Sequence, residues 1–223
     1  MIHRYVILDS TMHAAIRLPL GDVVVADEQT AGQGRHGHSW HSERRAGLYC
    51  SIVLRPHPVL TLALGLATAD AISQTAGLSC DLRWPNDVML NGRKVAGILV
   101  QLIDDRAIAG IGINVNHTRF PPELERDATS LLMASGRPID RDALLDALLA
   151  FVDRFTQFDQ PTILRLFTHA SSYALGRRVT VDQPGGRIVG VTQGLDEAGY
   201  LKVRQDDGTD TLILAGGVRA AGS

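Results

Sequence analysis

A glycine-rich loop and one lysine are the parts of this chain best suited to chemistry on an anionic group. Residues 32–37 place three glycines among polar side chains, with Arg35 in the middle. Glycines let backbone amides approach phosphate oxygens closely, and an arginine adds a bidentate donor. Lys94, one of only two lysines against twenty arginines, offers a compact charge with three rotatable donors. These residues predict a site that gathers positive charge around a phosphate or a carboxylate.

The same loop matches G-x-G-x-x-G, the pattern of dinucleotide-binding proteins, and a hydrophobic run at residues 22–28 precedes it. A dinucleotide site needs a helix that opens at the third glycine, because the helix N-terminus holds the pyrophosphate. The ten residues after Gly37 include only Trp40 and Ala46 as apolar side chains, so no buried helical face is expected. Dinucleotide binding is therefore disfavoured, and a surface turn with a solvated Arg35 is the structural alternative.

Polar residues after Pro85 form a second candidate group. The proline fixes the local backbone and so gives Asn86 and Asp87 a defined direction. Asp87 suits a phosphate-linked Mg²⁺, because hard cations take oxygen ligands, but Pro-Asn-Asp is also good turn chemistry. Asn114 likewise suits either nucleotide phosphates or the end of a strand. Taken alone, Lys94 would more commonly be a solvated cation after a turn.

Hydrophobic patterning predicts an α/β body that must position these groups. Continuous β-branched runs predict buried strands, and apolar residues near a spacing of 3.6 predict helices. Asn91-Gly92 tolerates positive φ angles and predicts a tight hairpin, while Asp140 is expected to cap a helix whose stripe includes Leu144 and Phe155. The expected strands are residues 22–28, 48–54, 88–90, 94–101 and 108–115, and the expected helices are residues 60–76 and the one after Asp140.

The predicted secondary structure changes after Gly176. Short β segments follow one another there with no room for a helix. They are punctuated at Pro184-Gly185-Gly186, Glu197-Ala198-Gly199 and Asp206-Asp207-Gly208. Two domains are predicted, residues 1–174 as the α/β body and residues 175–223 as a small β-barrel.

Composition and charge exclude several classes of protein. The 22 basic and 24 acidic residues give a net charge of -2, so no global field recruits nucleic acid or an anionic membrane. Cys50 and Cys80 have no metal-ligand spacing and indicate a reduced, cytoplasmic compartment. The longest apolar stretch, residues 59–69, is well short of the ~20 residues needed to cross a bilayer. We therefore expect a soluble protein with neither nucleic-acid nor membrane partners.

Five segments, in this order and spacing, resemble the biotin protein ligases. They are Asp9-Ser10-Thr11, residues 29–40, Arg83-Trp84-Pro85-Asn86-Asp87, residues 91–99 and residues 112–116. The resemblance implies a mixed-sheet biotin/lipoate-ligase-like catalytic domain followed by a small SH3-like β-barrel. It also implies an enzyme that forms biotinyl-5'-AMP from biotin and MgATP. Such an enzyme then transfers biotin to a lysine of a biotin carboxyl carrier protein, for example in acetyl-CoA carboxylase, and homodimer formation is left open.

The resemblance also implies residue roles. Lys94 and Arg35 would be the catalytic cations, and Asp87 a Mg²⁺ ligand. The implied biotin-binding residues are Ser10, Thr11, Met12, Gln29, Gln33, Gly34, Arg35, Lys94 and Gly97. The implied ATP- and adenylate-binding residues are Arg35, Gly37, His38, Trp40, Asn86, Asp87, Lys94, Ile98 and Asn114.

The chain departs from the family pattern at several positions. Gln33, His36 and His38 stand where the best-known members carry arginine, Met12 replaces a common asparagine, and Arg83 stands where lysine is frequent. These departures leave open how the loop neutralises phosphate charge.

Four other interpretations fit the sequence less well. A non-catalytic β-barrel scaffold leaves the glycine loop and Lys94 unexplained. Lipoate-attaching enzymes share the broad fold and are the alternative function. A biotin-sensing repressor would need a helix-turn-helix module, for which the nine residues before Ser10 leave no space. His36, His38 and His41 show no carboxylate or cysteine partner at ligand spacing, so no metal cluster is expected in the loop.

Overall fold

The computed structural model of the chain describes residues 1–183 and 186–221, so the turn expected at Pro184-Gly185 lies outside the described residues. The body is built from β1 (Ile2–Tyr5), α1 (Thr11–Ala15), β2 (Val23–Ala26), β3 (Gly47–Leu54), α2 (Leu60–Ala76), β4 (Asp81–Arg83), β5 (Asp87–Leu90), β6 (Arg93–Ile103), β7 (Arg106–Asn114), α3 (Leu131–Ser135), α4 (Arg141–Phe155) and α5 (Gln160–Ala170). The C-terminal part is built from β8 (Leu175–Gln183), β9 (Gly186–Leu195), β10 (Leu201–Gln205), β11 (Asp210–Ile213) and β12 (Gly217–Ala220).

A mixed sheet forms the body. Within the described ranges its strand order is β1-β2-β3-β7-β6-β5-β4. The β1 and β2 strands are parallel, while the other neighbours are antiparallel. The valines of β2 are buried on both faces, which explains why the run does not alternate with polar residues. The predicted combination of a mixed-sheet α/β body and a C-terminal β domain is confirmed.

The sheet has a hydrophobic core on each face. On one face α2 and α4 pack together over the strands, and the predicted α4 stripe from Leu144 to Phe155 is buried. Asp140 caps α4 as predicted, accepting hydrogen bonds from the Asp142 and Ala143 amides. On the other face a smaller cluster around Met12, with Val24 and Ile108, lies under α1. The short α1 helix therefore holds the polar residues at its start against the middle of the sheet.

Asp87 and Lys94 belong to the hairpin formed by β5 and β6. Asp87 is the first residue of β5, and Lys94 is the second residue of β6. Asn91 and Gly92 adopt positive φ angles of 50° and 76°, as the sequence predicted for this turn. A register shift between Val88 and Met89 interrupts the pairing of the two strands. Bulges of this kind redirect side chains, and here Lys94 lies beside Asp87.

The C-terminal strands form an antiparallel sheet ordered β11-β10-β9-β8-β12 within the described residues. Their apolar side chains, such as Val181 and Val203, are continuous with the core of the body. Polar contacts also join the two parts, since Trp84 Nε1 donates to the Gly199 carbonyl at 2.9 Å. The boundary between residues 174 and 175 stays a prediction. No helix in the described residues is both long enough and apolar enough to span a membrane.

Loss of the Trp84 hydrogen bond should measurably weaken the fold. Trp84 is 3% exposed, so Trp84→Phe leaves the Gly199 carbonyl without its buried donor. We expect the free energy of unfolding to fall by about 1–3 kcal/mol, measured by equilibrium urea denaturation. Tyr200→Phe is the control, because the described structure gives the Tyr200 hydroxyl no hydrogen bond. Equal stability of both variants would show that the Trp84 bond contributes nothing.

Candidate active site

A narrow cavity lies between α1, the glycine loop and the middle of strands β6 and β7. It encloses about 450 Å³ of non-atom space including its open mouth. We call it the inner cavity. Its lining is Ser10, Thr11, Met12, Gln29, Gln33, Gly34, Arg35, Trp40, Cys50, Asn86, Lys94, Gly97, Ile98, Leu99, Gly110, Ile111 and Gly112. All nine residues implied as biotin-binding by the sequence are therefore in this one lining.

A fixed set of polar groups forms one end of the inner cavity. The Thr11 amide and hydroxyl both donate to Gln29 Oε1, at 2.9 and 3.1 Å. Gln29 Nε2 donates to Ser42 Oγ at 2.9 Å, and the Thr11 hydroxyl also meets Ser51 Oγ at 2.8 Å. Ser10 caps α1 by accepting from the Met12 amide, so it has both a structural role and a place in the lining. This network presents hydroxyl and amide groups in set directions to a small polar ring.

Three glycines of the lining leave room for large side chains to lie against the sheet. A Cβ atom on Gly112 would overlap the indole of Trp40, and one on Gly97 would lie 2.9 Å from Trp40 Cζ3. A Cβ atom on Gly110 would lie 2.8 Å from Met12 Sδ. Because these glycines lie on neighbouring strands, Trp40 rests directly on the backbone of the sheet.

A wider cleft adjoins the inner cavity and continues to the C-terminal β strands. It holds about 1480 Å³ of non-atom space including open solvent, and we call it the outer cleft. Its lining is Gly34, Arg35, His36, His38, Ser39, Trp40, Arg83, Trp84, Pro85, Asn86, Asp87, Lys94, Asp182, Gln183, Ala215, Gly216, Gly217, Val218 and Arg219. Five residues line both spaces and mark the place where the inner cavity opens into the outer cleft: Gly34, Arg35, Trp40, Asn86 and Lys94.

Arg35 points into the protein, in contrast to the solvated-turn alternative. Its Nη1 donates to Asn86 Oδ1 at 3.0 Å, and Asn86 in turn donates to the Ile98 carbonyl. Burial lowers the pKa of Arg35 and the Asp87 charge opposes this, and an arginine stays charged throughout the usual pH range. The loop here forms a single 3-10 turn at Arg35–Gly37, with His36 at a φ of 56°, and no α-helix follows. Within residues 32–47, all of which the structure describes, there is therefore no helix terminus for a dinucleotide pyrophosphate.

Lys94 is held firmly and is not the solvated cation of the alternative interpretation. Its Nζ lies 2.6 Å from Asp87 Oδ1 and 5.3 Å from the centre of the Trp40 ring. Its backbone is fixed by the Asp127 carbonyl and the Thr129 amide. The ammonium therefore lies at the junction of the two spaces with its position set from several sides.

Asp87 is engaged by two cations. Its Oδ2 accepts from Arg83 Nη2 at 2.7 Å, while Oδ1 pairs with Lys94. Burial acts to raise the pKa of Asp87, but the charges of Lys94 and Arg83 outweigh it and hold the pKa below its ordinary value. Because each oxygen already pairs with a cation, a Mg²⁺ ion at Asp87 would compete with Lys94 and Arg83. Its geometry instead suits a group that fixes Lys94 and Arg83.

The structure does not bring every predicted ATP-site residue into the outer cleft. Asn114 is 5% exposed and donates to the Thr129 carbonyl at 3.1 Å, so it satisfies a strand end and lines neither space. Ile98 lines the inner cavity instead, and Gly37 lies on the far side of the loop. Strand pairing decides these positions, because Asn114 ends β7 opposite Gly47.

Some lining residues were missed by the sequence reasoning. Cys50, Leu99 and Ile111 face the inner cavity from central strands, and nothing in their types separates them from core residues. Residues 215–219 and Gln183 bring the C-terminal domain to the outer cleft. Gly110 and Gly112 were the detectable signal, since glycines in a buried strand often mark the close approach of another group.

Comparison with known families places the chain among the ligases, in agreement with a narrow polar-ended cavity that opens past two fixed cations into a wider cleft. The biotin/lipoate A/B protein ligase family matches residues 7–117, and the biotin protein ligase C-terminal domain matches residues 174–218. The bifunctional ligase/repressor BirA of Bacillus subtilis is 37% identical over 94% of this chain and 71% of that protein. The biotin–acetyl-CoA-carboxylase ligase of Mycobacterium tuberculosis is 35% identical over 88% of this chain and 77% of that protein.

Structural similarity agrees with the sequence matches. The biotin protein ligase of Aquifex aeolicus, solved in complex with biotin and ATP, has a TM-score of 0.88 and 32% identity, with 99% of each chain covered. The chain belongs to the biotin protein ligase family. The sequence-based recognition of the family, and of the chain as a ligase enzyme, is confirmed.

Proposed function

We propose that this chain forms biotinyl-5'-AMP from biotin and MgATP and then transfers the biotinyl group to a lysine of a biotin carboxyl carrier protein. In the first step the biotin carboxylate attacks the α-phosphorus of ATP, the P–O bond to the β-phosphate breaks, and pyrophosphate leaves. In the second step the carrier amine attacks the acyl carbon, an amide forms, and AMP leaves with the loss of one proton from the amine.

One observation carries this proposal. The inner cavity has a polar end at Thr11 and Gln29 and opens, at its other end, between Arg35 and Lys94 into the outer cleft. A ligand with a small polar ring, an apolar chain and a terminal carboxylate fits that order of groups. The outer cleft then holds a nucleotide next to the carboxylate.

The two cations have a defined task in the first step. A carboxylate and a nucleotide phosphate repel each other, so positive charge must be in place before they meet. Arg35 offers a planar fork to phosphate oxygens, while Lys94 offers a point charge that follows the oxygens as they rearrange. Asp87, held between Lys94 and Arg83, keeps the ammonium at the junction in advance of binding.

The finer assignments rest on the same proposal. Mg²⁺ enters with ATP as part of the substrate, and Asp87 is not proposed as its ligand because both of its oxygens are paired. A carboxylase carrier domain is the proposed partner of the second step.

Homodimer formation and the lack of a nucleic-acid partner stay predictions. A cytoplasmic location is proposed from the free thiols Cys50 and Cys80.

Pyrophosphate release tests the choice between biotin and lipoate. Purified protein is mixed with MgATP and either acid, and pyrophosphate is followed by a coupled enzymatic assay. We expect release with biotin and a rate near background with lipoate, because the inner cavity ends in fixed amide and hydroxyl groups that suit a ureido ring. Release with lipoate alone would overturn the proposal and favour a lipoate-type ligase.

Arg35→Ala should release the adenylate faster. The guanidinium lines both spaces, and a hydrogen bond to a charged group contributes about 1.5–3 kcal/mol, so we expect dissociation about 10–100-fold faster. Radiolabelled adenylate is formed on the enzyme and chased with an excess of unlabelled ligand. Arg44→Ala is the matched control, since Arg44 is exposed and lies outside the linings of the inner cavity and outer cleft. Equal rates of adenylate dissociation from the two variants would show that Arg35 does not hold the adenylate.

A further inference from the structure

A second cluster of chemically capable side chains lies just past the glycine loop. His41, Glu43 and His117 each offer one ligand atom, and these atoms lie within 4.8 Å of one another. The spacing of the loop histidines predicts no metal cluster, yet Glu43 stands only two residues after His41. The fold places Glu43 Oε2 3.9 Å from His41 Nε2 and brings His117 from the segment after β7.

The hydrogen bonds around His117 fix which ring nitrogen carries the proton. The Tyr49 hydroxyl donates to the Glu43 carbonyl at 2.9 Å, so its hydrogen is already used. His117 Nε2 lies 3.3 Å from the same hydroxyl oxygen and must donate to it. This arrangement assigns the proton to Nε2 and leaves a lone pair on Nδ1.

That lone pair meets no donor among the residues that the structure describes. His117 is 0% exposed and stacks on Phe120 with ring centres 5.0 Å apart. In the described structure its Nδ1 has no hydrogen-bond partner. A buried acceptor without a partner costs about 1–3 kcal/mol, so the position calls for a ligand.

We propose that His41, Glu43 and His117 bind one divalent transition-metal ion, with Zn²⁺ the best match. Two imidazole nitrogens and one carboxylate oxygen are a common zinc donor set, which leaves a fourth position for water. Zinc ligands at about 2.1 Å from a tetrahedral centre lie roughly 3.4 Å apart. The side chains of His41 and Glu43 are 34% and 50% exposed, so they have room to turn towards the buried His117 as an ion binds.

Tyr49 serves the site as a positioning residue. A metal-bound histidine usually donates its second ring nitrogen to a fixed acceptor, which sets the orientation of the ring. The Tyr49 hydroxyl is that acceptor for His117. A metal here would tie the end of the glycine loop to the segment after β7, since His41 lies between Trp40 and Ser42 of the inner-cavity network.

Metal titration tests this site without relying on activity. Metal-free full-length protein is titrated with Zn²⁺ against a chromophoric chelator, and Co²⁺ is added separately to record its visible spectrum. We expect one equivalent of Zn²⁺ and Co²⁺ bands of tetrahedral intensity. His41→Ala and Glu43→Gln should each weaken Zn²⁺ binding by about 100-fold, and Tyr49→Phe by about 10-fold.

The control is His36→Ala, which removes an exposed histidine of the same loop and should leave Zn²⁺ affinity unchanged. His41 and Glu43 lie outside the buried core, so circular dichroism should show both of their variants folded. Failure to take up one equivalent of Zn²⁺ would overturn the proposal. So would an equal loss of affinity in His36→Ala and His41→Ala, because binding would then belong to scattered surface histidines.

Discussion

Replacement of Lys94 by alanine is expected to slow biotin-dependent pyrophosphate release by about 10²–10³-fold, the usual cost of one charge-stabilising donor at a reacting centre. The ammonium lies where the inner cavity meets the outer cleft, 2.6 Å from Asp87. Its removal takes away the compact positive charge between the carboxylate and the α-phosphate. The Asp87 carboxylate then keeps only Arg83 and adds negative charge near two anionic substrates.

The chain provides a matched control for this variant. Lys202 is the only other lysine of the sequence and is exposed on β10, in the C-terminal sheet. Lys202→Ala should release pyrophosphate at the parent rate. Lys94→Arg should recover little activity, because a planar fork does not replace a rotating ammonium in a site of this size. Parent-like turnover of Lys94→Ala, with the fold intact, would return Lys94 to a structural role.

Gly112→Ala is expected to weaken biotin binding by about 10–100-fold, since an overpacked site costs about 1–3 kcal/mol. A Cβ atom at Gly112 overlaps the Trp40 indole, so the ring must leave the sheet and enter the inner cavity. The Lys94 ammonium lies over the same ring and should shift with it. Isothermal titration calorimetry with biotin measures the loss of affinity directly.

Gly65→Ala is the same substitution in a place where space is available. A Cβ atom at Gly65 lies 3.8 Å from its nearest neighbours, on Leu82 and Phe167. Within α2 this change should stabilise the protein by about 0.5–1 kcal/mol and leave biotin affinity unchanged. Unchanged biotin affinity in Gly112→Ala would mean that Trp40 does not define the cavity.

Much of the fold was predictable because local signals matched the final structure. The α2 helix agrees with residues 60–76, the Asn91-Gly92 hairpin forms, and Asp140 caps α4. The strands β1 and β4 and the helix α5 were not predicted. Strand β1 is an edge strand with little alternation, and β4 has only three residues. Such elements are specified by their neighbours in the sheet and leave little trace in the sequence.

The residues of the candidate site were likewise predictable only in part. Arg35, Lys94 and Gln29 were found because their motifs are local and specific. The engagement of Asp87 by two cations was not predictable, because it arises from strand pairing: Arg83 lies opposite Asp87 across β4 and β5, and Lys94 lies on β6, where the pairing with β5 shifts register. The motif around Asn114 predicted an ATP-binding residue. In the structure its side-chain amide instead donates to the Thr129 carbonyl. The partnership of His41 with His117 likewise arises only when β3 and β7 pair across the sheet.

The intact mass of a carrier domain tests the central claim most directly. A purified biotin carboxyl carrier domain is incubated with this protein, biotin and MgATP, and then measured by mass spectrometry. We predict a gain of one biotinyl group, which disappears when ATP is omitted or when the acceptor lysine of the carrier is replaced by arginine. The same gain should form far more slowly with the Lys94→Ala variant. An unchanged carrier mass with biotin, together with a lipoyl gain when lipoate is supplied, would contradict the account.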